Sequence, residues 1–111
     1  MPDSTAMVFG NHIYEYQKGV RNLVLFTMKR DCVDSAINKL RKLNIDFCVQ
    51  YVGLNNANVF FGRPQCIKAI RSIVTRPLNE LSPEEDFILG ALLGYDLCLQ
   101  CERFCDRKTT N

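Results

Sequence analysis

VRNLVLFTMKRDCVDSAINKLRKLNIDFCVQYVGLNNANVFFGRPQCIKAIRSIVT, residues 20–75, decides the fold. Its apolar period switches three times. Residues 20–27 contain the uncharged run Leu23, Val24, Leu25 and Phe26, which reads as a strand covered on both faces. Over residues 31–43, Val33, Ile37, Leu40 and Leu43 recur at helical spacing, with Lys39, Arg41 and Lys42 left for water. Asp31 stands at the start and Asn44 at the end. Residues 45–52 alternate: Phe47, Val49 and Tyr51 fall on one face and Cys48, Gln50 and Val52 on the other, as in a strand. GLNNA, residues 53–57, is a turn built of residues that tolerate positive φ, and NVFFG, residues 58–62, is a third strand. Gly62, Arg63 and Pro64 open a second helix over residues 64–75, with Ile67, Ile70, Ile73 and Val74 inward.

The resulting order is βαββα. It predicts an α+β domain on a three-stranded antiparallel sheet, a ferredoxin-like unit without its last strand. In that topology the first and third strands are antiparallel neighbours and the alternating second strand lies at an edge. The crossover rule would place both helices on one face. The strands are too apolar for the opposite face to be bare, so flanking helices or a second subunit should cover it.

Toward the N-terminus, residues 1–6 read as a polar tail and residues 11–18 as a short helix closed by Gly19. Toward the C-terminus, LSPEEDFILGALLGYDLCLQCERFC, residues 81–105, reads as the longest helix, preceded by one helical turn at 77–80. Ser82, Pro83 and Glu85 form a capping box, and Glu84, Glu85 and Asp86 put negative charge on the positive end of the helix dipole. In the competing reading Gly94 ends one helix and Asp96 caps another. With a polar tail at 106–111, the chain is one domain over residues 7–105.

The totals exclude several classes. A chain of 111 residues supports one core. The net charge of +2 does not by itself imply nucleic acid. No apolar run approaches the ~20 residues of a membrane span, and no secretion signal opens the chain. Six cysteines in that context predict free thiols and a cytoplasmic setting.

NHIYEYQKGVRNLVLFT near the start and RPLNELSPEEDFILGALLGYD near the end resemble a small bacterial family known only as a domain of unknown function, number two-zero-two-three. The resemblance covers about residues 9–104. It implies a compact α/β fold of three strands and about five helices and is compatible with a homodimer. It carries no activity and no catalytic residue.

The residues themselves name no reaction. Phosphate loop, dinucleotide glycine motif, nucleophile elbow and metalloprotease helix are missing, so no catalytic residue and no cofactor are assigned. Cys98, Cys101 and Cys105 have thiolate-ligand chemistry, but on one helix face they spread over roughly 10 Å and do not converge on one ion, so no metal site is expected. Cys32, Cys48 and Cys66 form no spacing motif. Arg63, Lys68 and Arg71 make a basic face that would suit an anion or nucleic acid, against the more ordinary solvated helix face. NVFFG lacks the signature of an RNA-binding sheet.

Two surfaces are left as candidates. His12, Tyr14, Tyr16 and Arg21 would bind a ligand or protein partner where they approach the acidic start of the long helix; the enzymatic alternative is a subunit-interface site around His12 and Arg21. Phe87, Ala91, Gly94, Cys98 and Cys101 form a seam of small and apolar residues for a homodimer. A helix over residues 83–105 would be about 34 Å long. Three strands span only about 14 Å, which is too little to enclose it. A small, non-enzymatic, dimeric accessory or regulatory module that binds a partner protein or small ligand is therefore expected.

Overall fold

The computed structural model describes residues 1–109. Five helices flank a three-stranded sheet. In chain order these are α1 (Asp3–Gln17), β1 (Leu23–Lys29), α2 (Val33–Lys42), β2 (Asp46–Val52), β3 (Asn56–Gly62), α3 (Pro64–Ile73), α4 (Pro83–Leu92) and α5 (Leu97–Thr109), with short 3₁₀ turns at Arg30–Cys32 and Leu78–Glu80. The strand order is β1-β3-β2, both pairings antiparallel. The first and third strands are neighbours and the alternating second strand is an edge, as its pattern predicts.

Each face of the sheet carries its own core. Val24, Met28, Ala57, Val59 and Phe61 point to one face, where α1 supplies Phe9 and Ile13 and α2 supplies Val33, Ala36 and Leu40. Phe9 and Phe61 meet edge to face, with ring centroids 5.5 Å apart. Leu23 and Phe60 point to the other face, against Ile67 and Ile70 of α3, Leu81, and Leu89 and Leu93 of α4 and its C-cap. The helices α2 and α3 therefore lie on opposite faces, which corrects the expectation of one shared face. The handedness rule constrains a helix only when a parallel strand follows it into the same sheet. Such a strand follows α2, which links the parallel β1 and β2. None follows α3 among the described residues, so α3 covers the face that α1 and α2 leave open.

Helix α1 also differs from expectation: it starts at Asp3, not at residue 11. Its inward stripe of Phe9 and Ile13 is masked in the sequence by the exposed Met7 and Val8 beside it. Its end is as predicted. Gly19 has φ 81°, its amide donates to the Tyr16 carbonyl, and the Val20 amide donates to the Glu15 carbonyl, a Schellman closure. Residues 106–109 of the expected tail continue α5, and 110–111 lie outside the described residues.

The expected single C-terminal helix is two. Gly94 takes φ 78°, with its amide on the Ala91 carbonyl and the Tyr95 amide on the Gly90 carbonyl. The Asp96 carboxylate then accepts from the Leu99 amide at 3.0 Å and caps α5. The glycine takes at no steric cost a left-handed conformation in which the chain reverses, and α5 folds back along α4. Glycine at position 90 has a different cause. A side chain there would strike the Gln100 side chain, so Gly90 permits the close approach of the two helices.

Candidate functional site

The α4–α5 hairpin is the part of the molecule least absorbed by the core. The capping box at its start is present: the Ser82 hydroxyl accepts from the Glu85 amide at 3.1 Å, and Glu85 Oε1 accepts from the Ser82 amide at 2.8 Å. Antiparallel packing sets the acidic first turn of α4 beside the basic last turns of α5. Arg103 donates from Nε to Asp86 Oδ2 at 2.7 Å, and Lys108 Nζ to Glu84 Oε1 at 2.6 Å. Arg107 donates to the Leu81 carbonyl at 2.8 Å, and Arg76 ties Glu85 to the preceding loop at 2.6 Å. Phe87 and Phe104 close the hairpin, centroids 5.7 Å apart.

These contacts shift two carboxyl groups. The hydrogen bond from Lys108 holds Glu84 below its ordinary 4.5, and the Ser82 amide holds Glu85 below the same value, with Arg76 assisting. A carboxylate whose pKa is depressed on folding stabilises the fold above its unfolded pKa, and that contribution is lost as pH falls through the folded value. The urea midpoint should therefore be flat above about pH 5 and fall below pH 4.5, and Glu85→Gln should flatten part of the fall. Glu84 is exposed and Glu85 only half-buried, so the effect is modest. A midpoint that rises on acidification would contradict the assignment.

Asp86 and Arg103 pair on the side of the hairpin that faces Leu25 and Leu78. On another side, Phe87, Ile88, Cys101, Phe104 and Cys105, with Glu84 at the rim, line an apolar cleft of about 480 Å³. Ala91 and Cys98, one turn along each helix, are exposed. No residue of α5 is buried, and Leu97 and Leu99 are each 60% exposed. Ala91, Cys98 and Cys101 thus face solvent, Phe87 is half-buried against Phe104, and Gly94 forms the turn of the hairpin.

His12, Tyr14, Tyr16 and Arg21 are placed differently. His12 packs on Phe26 with centroids 5.5 Å apart, and its Nδ1 is buried without a hydrogen-bond partner. Tyr16 packs on Phe61, Tyr14 faces solvent, and Arg21 pairs with Glu15 at 3.4 Å. They do not converge, and α1 lies across the sheet from α4, so the approach to the acidic helix start is not made. Arg63, Lys68 and Arg71 are exposed on or beside α3, and Arg71 donates to the Phe47 carbonyl at 2.9 Å. Cys32 is buried, Cys48 and Cys66 are half-buried, and the three thiols of α5 are exposed.

One cluster was missed in the sequence. Thr27, Asn58 and Gln50 are direct cross-strand neighbours on β1, β3 and β2. Thr27 Oγ1 donates to Asn58 Oδ1 at 2.6 Å, Asn58 Nδ2 to Gln50 Oε1 at 3.1 Å, and Gln50 Nε2 to the Arg76 carbonyl at 2.8 Å. The only signal was a polar residue in each strand at positions that face one another once the register is known.

Architecture and site together define a two-cored α+β domain with an appended helical hairpin; the described residues gather no cluster of metal-binding side chains, and no helix among them is long and apolar enough to cross a membrane. The chain belongs to the family described as a protein of unknown function, DUF2023, whose model matches residues 7–107. Comparison with curated proteins finds no match to the chain.

Proposed function

We propose that this chain is a non-enzymatic, homodimeric accessory or regulatory module, whose subunits meet through the apolar side of the α4–α5 hairpin. The observation that carries this reading is α5 itself, a 13-residue helix with no buried residue. Helices of that length are marginal in water without packing, and α5 is held by one neighbour while Leu97, Cys98 and Cys101 face solvent. A second copy suits the surface better than a charged partner. The neighbouring acids and bases are engaged within the chain, and an uncharged patch is complementary to itself about a two-fold axis. Unpaired thiols favour a reducing, cytoplasmic setting.

The exposed thiols supply the test. In the dimer, Cys98, Cys101 and Cys105 should be alkylated slowly at high protein concentration and faster on dilution, read by peptide mass spectrometry, while Cys32 stays unreactive throughout. Rates for the three α5 thiols that do not change with concentration would overturn the interface.

A further inference from the structure

We infer that the polar row across the sheet is the floor of a binding site for a small, uncharged, planar molecule that carries an amide or lactam edge. The cleft lies on the α3–α4 face of the sheet, between the β2–β3 end and the connection at residues 74–79, with a volume of about 600 Å³. That is within the range of small-molecule sites, which pair apolar walls with a few fixed polar groups. This inference gives the accessory module a ligand and rests on that accessory role, not on the dimer.

The argument is one of hydrogen-bonding valence. A carboxamide has two N–H donors and two acceptor lone pairs. Asn58 is only 6% exposed, yet it uses one lone pair on Thr27 and one N–H on Gln50. Gln50 uses one lone pair on Asn58 and one N–H on the Arg76 carbonyl. Each keeps one donor and one acceptor, and both residues line the cleft. Each polar side-chain atom of the row has one partner, and the remaining donor and acceptor of each carboxamide are free to serve a molecule in the cleft. An apolar row would have completed this face of the sheet more simply.

The surroundings define the ligand class. Phe60, Val74, Pro77 and Leu78 give flat apolar walls. The one charged side chain in the lining, Arg76, has its guanidinium on Glu85 at 2.6 Å. A charged ligand would therefore lack a counter-ion, whereas a neutral ring with adjacent donor and acceptor matches the two carboxamides. Gln50 also reports ligand binding to the loop, since its side chain holds the Arg76 carbonyl and Arg76 holds the start of α4 through Glu85.

The test uses the full chain, isotopically labelled, titrated with uracil and with nicotinamide in separate experiments. Saturable shifts are expected in the side-chain amide signals of Gln50 and Asn58 and in the backbone amides of residues 51–53 and 75–79, at the affinity on the order of 1 mM typical of fragments. Gln50→Leu, at a half-exposed position, should keep the fold and weaken binding about tenfold. Asn58→Ser provides a second variant, with the same expected loss read only if its spectrum is folded. The inference is overturned if neither probe gives saturable shifts, if Gln50→Leu binds as the parent does, or if the shifts map to the hairpin. Shifts at the cleft in a chain found to be monomeric would retain this site and remove the dimer.

Discussion

Gly62→Ala should leave little folded protein. Gly62 ends β3 with φ 154°, a conformation that side chains rarely adopt, and it sits in register with Leu23 on one side and Asp46 on the other. A methyl group at this position would overlap the Asn22 carbonyl oxygen and the Leu23 Cα, which are backbone and cannot rotate away. The same Asn22 carbonyl accepts from the Arg63 amide at 2.9 Å, so relieving the overlap would also break the contact that starts α3. Strain and overpacking together cost about 3–5 kcal/mol, a large part of the roughly 5–15 kcal/mol that holds a domain of this size. Chemical denaturation, or circular dichroism if the variant is already unfolded, measures it. The control is Gly19→Ala. That glycine has φ 81° but open space around it, so the loss should be only about 1 kcal/mol. Equal losses at the two positions would show that the close approach at Gly62 is not what matters.

Ala91→Arg should convert the dimer to monomer without unfolding it. Ala91 is exposed in the single chain and lies one turn from Phe87 and Ile88 on α4. In the monomer an arginine there is an ordinary surface residue on a helix that tolerates it well. In a two-fold interface the substitution occurs twice, burying two unpaired charges against apolar surface. Each is worth several kcal/mol of lost association, and the dissociation constant should rise more than about a hundredfold. Sedimentation velocity reads the change, and a thermal melt reads the fold. Gly94→Leu would be a less direct probe of the interface. Its positive φ makes it a test of the hairpin turn.

The strands and the strand order were legible because β1 and β3 are apolar on both faces and β2 alternates. The ends of the elements were legible wherever a residue with a special conformation marks them. Gly19 and Asn44 both take positive φ at helix ends, and Ser82 forms its capping box. The same logic offered Gly94 with Asp96 as a break, but the uninterrupted apolar run around Gly94 favoured one helix. What resolves it is the backward packing of Gln100 on Gly90, a contact across the turn that no local pattern records. The face chosen by α3 was not legible, because both faces of β3 are apolar and no further strand constrains the helix. The polar row was invisible for a related reason. Thr27, Gln50 and Asn58 are unremarkable in their own strands, and only the register brings them together. His12 and Arg21 are near in sequence, yet within one chain His12 packs on Phe26 and Arg21 pairs with Glu15.

Light scattering coupled to size exclusion, on the reduced 111-residue chain at micromolar concentration, bears most directly on the proposal that the hairpin joins two copies. A mass twice the 12.7 kDa of the chain is the predicted result. A mass of 12.7 kDa across the accessible concentration range would contradict it and leave the apolar side of α4 and α5 without its partner.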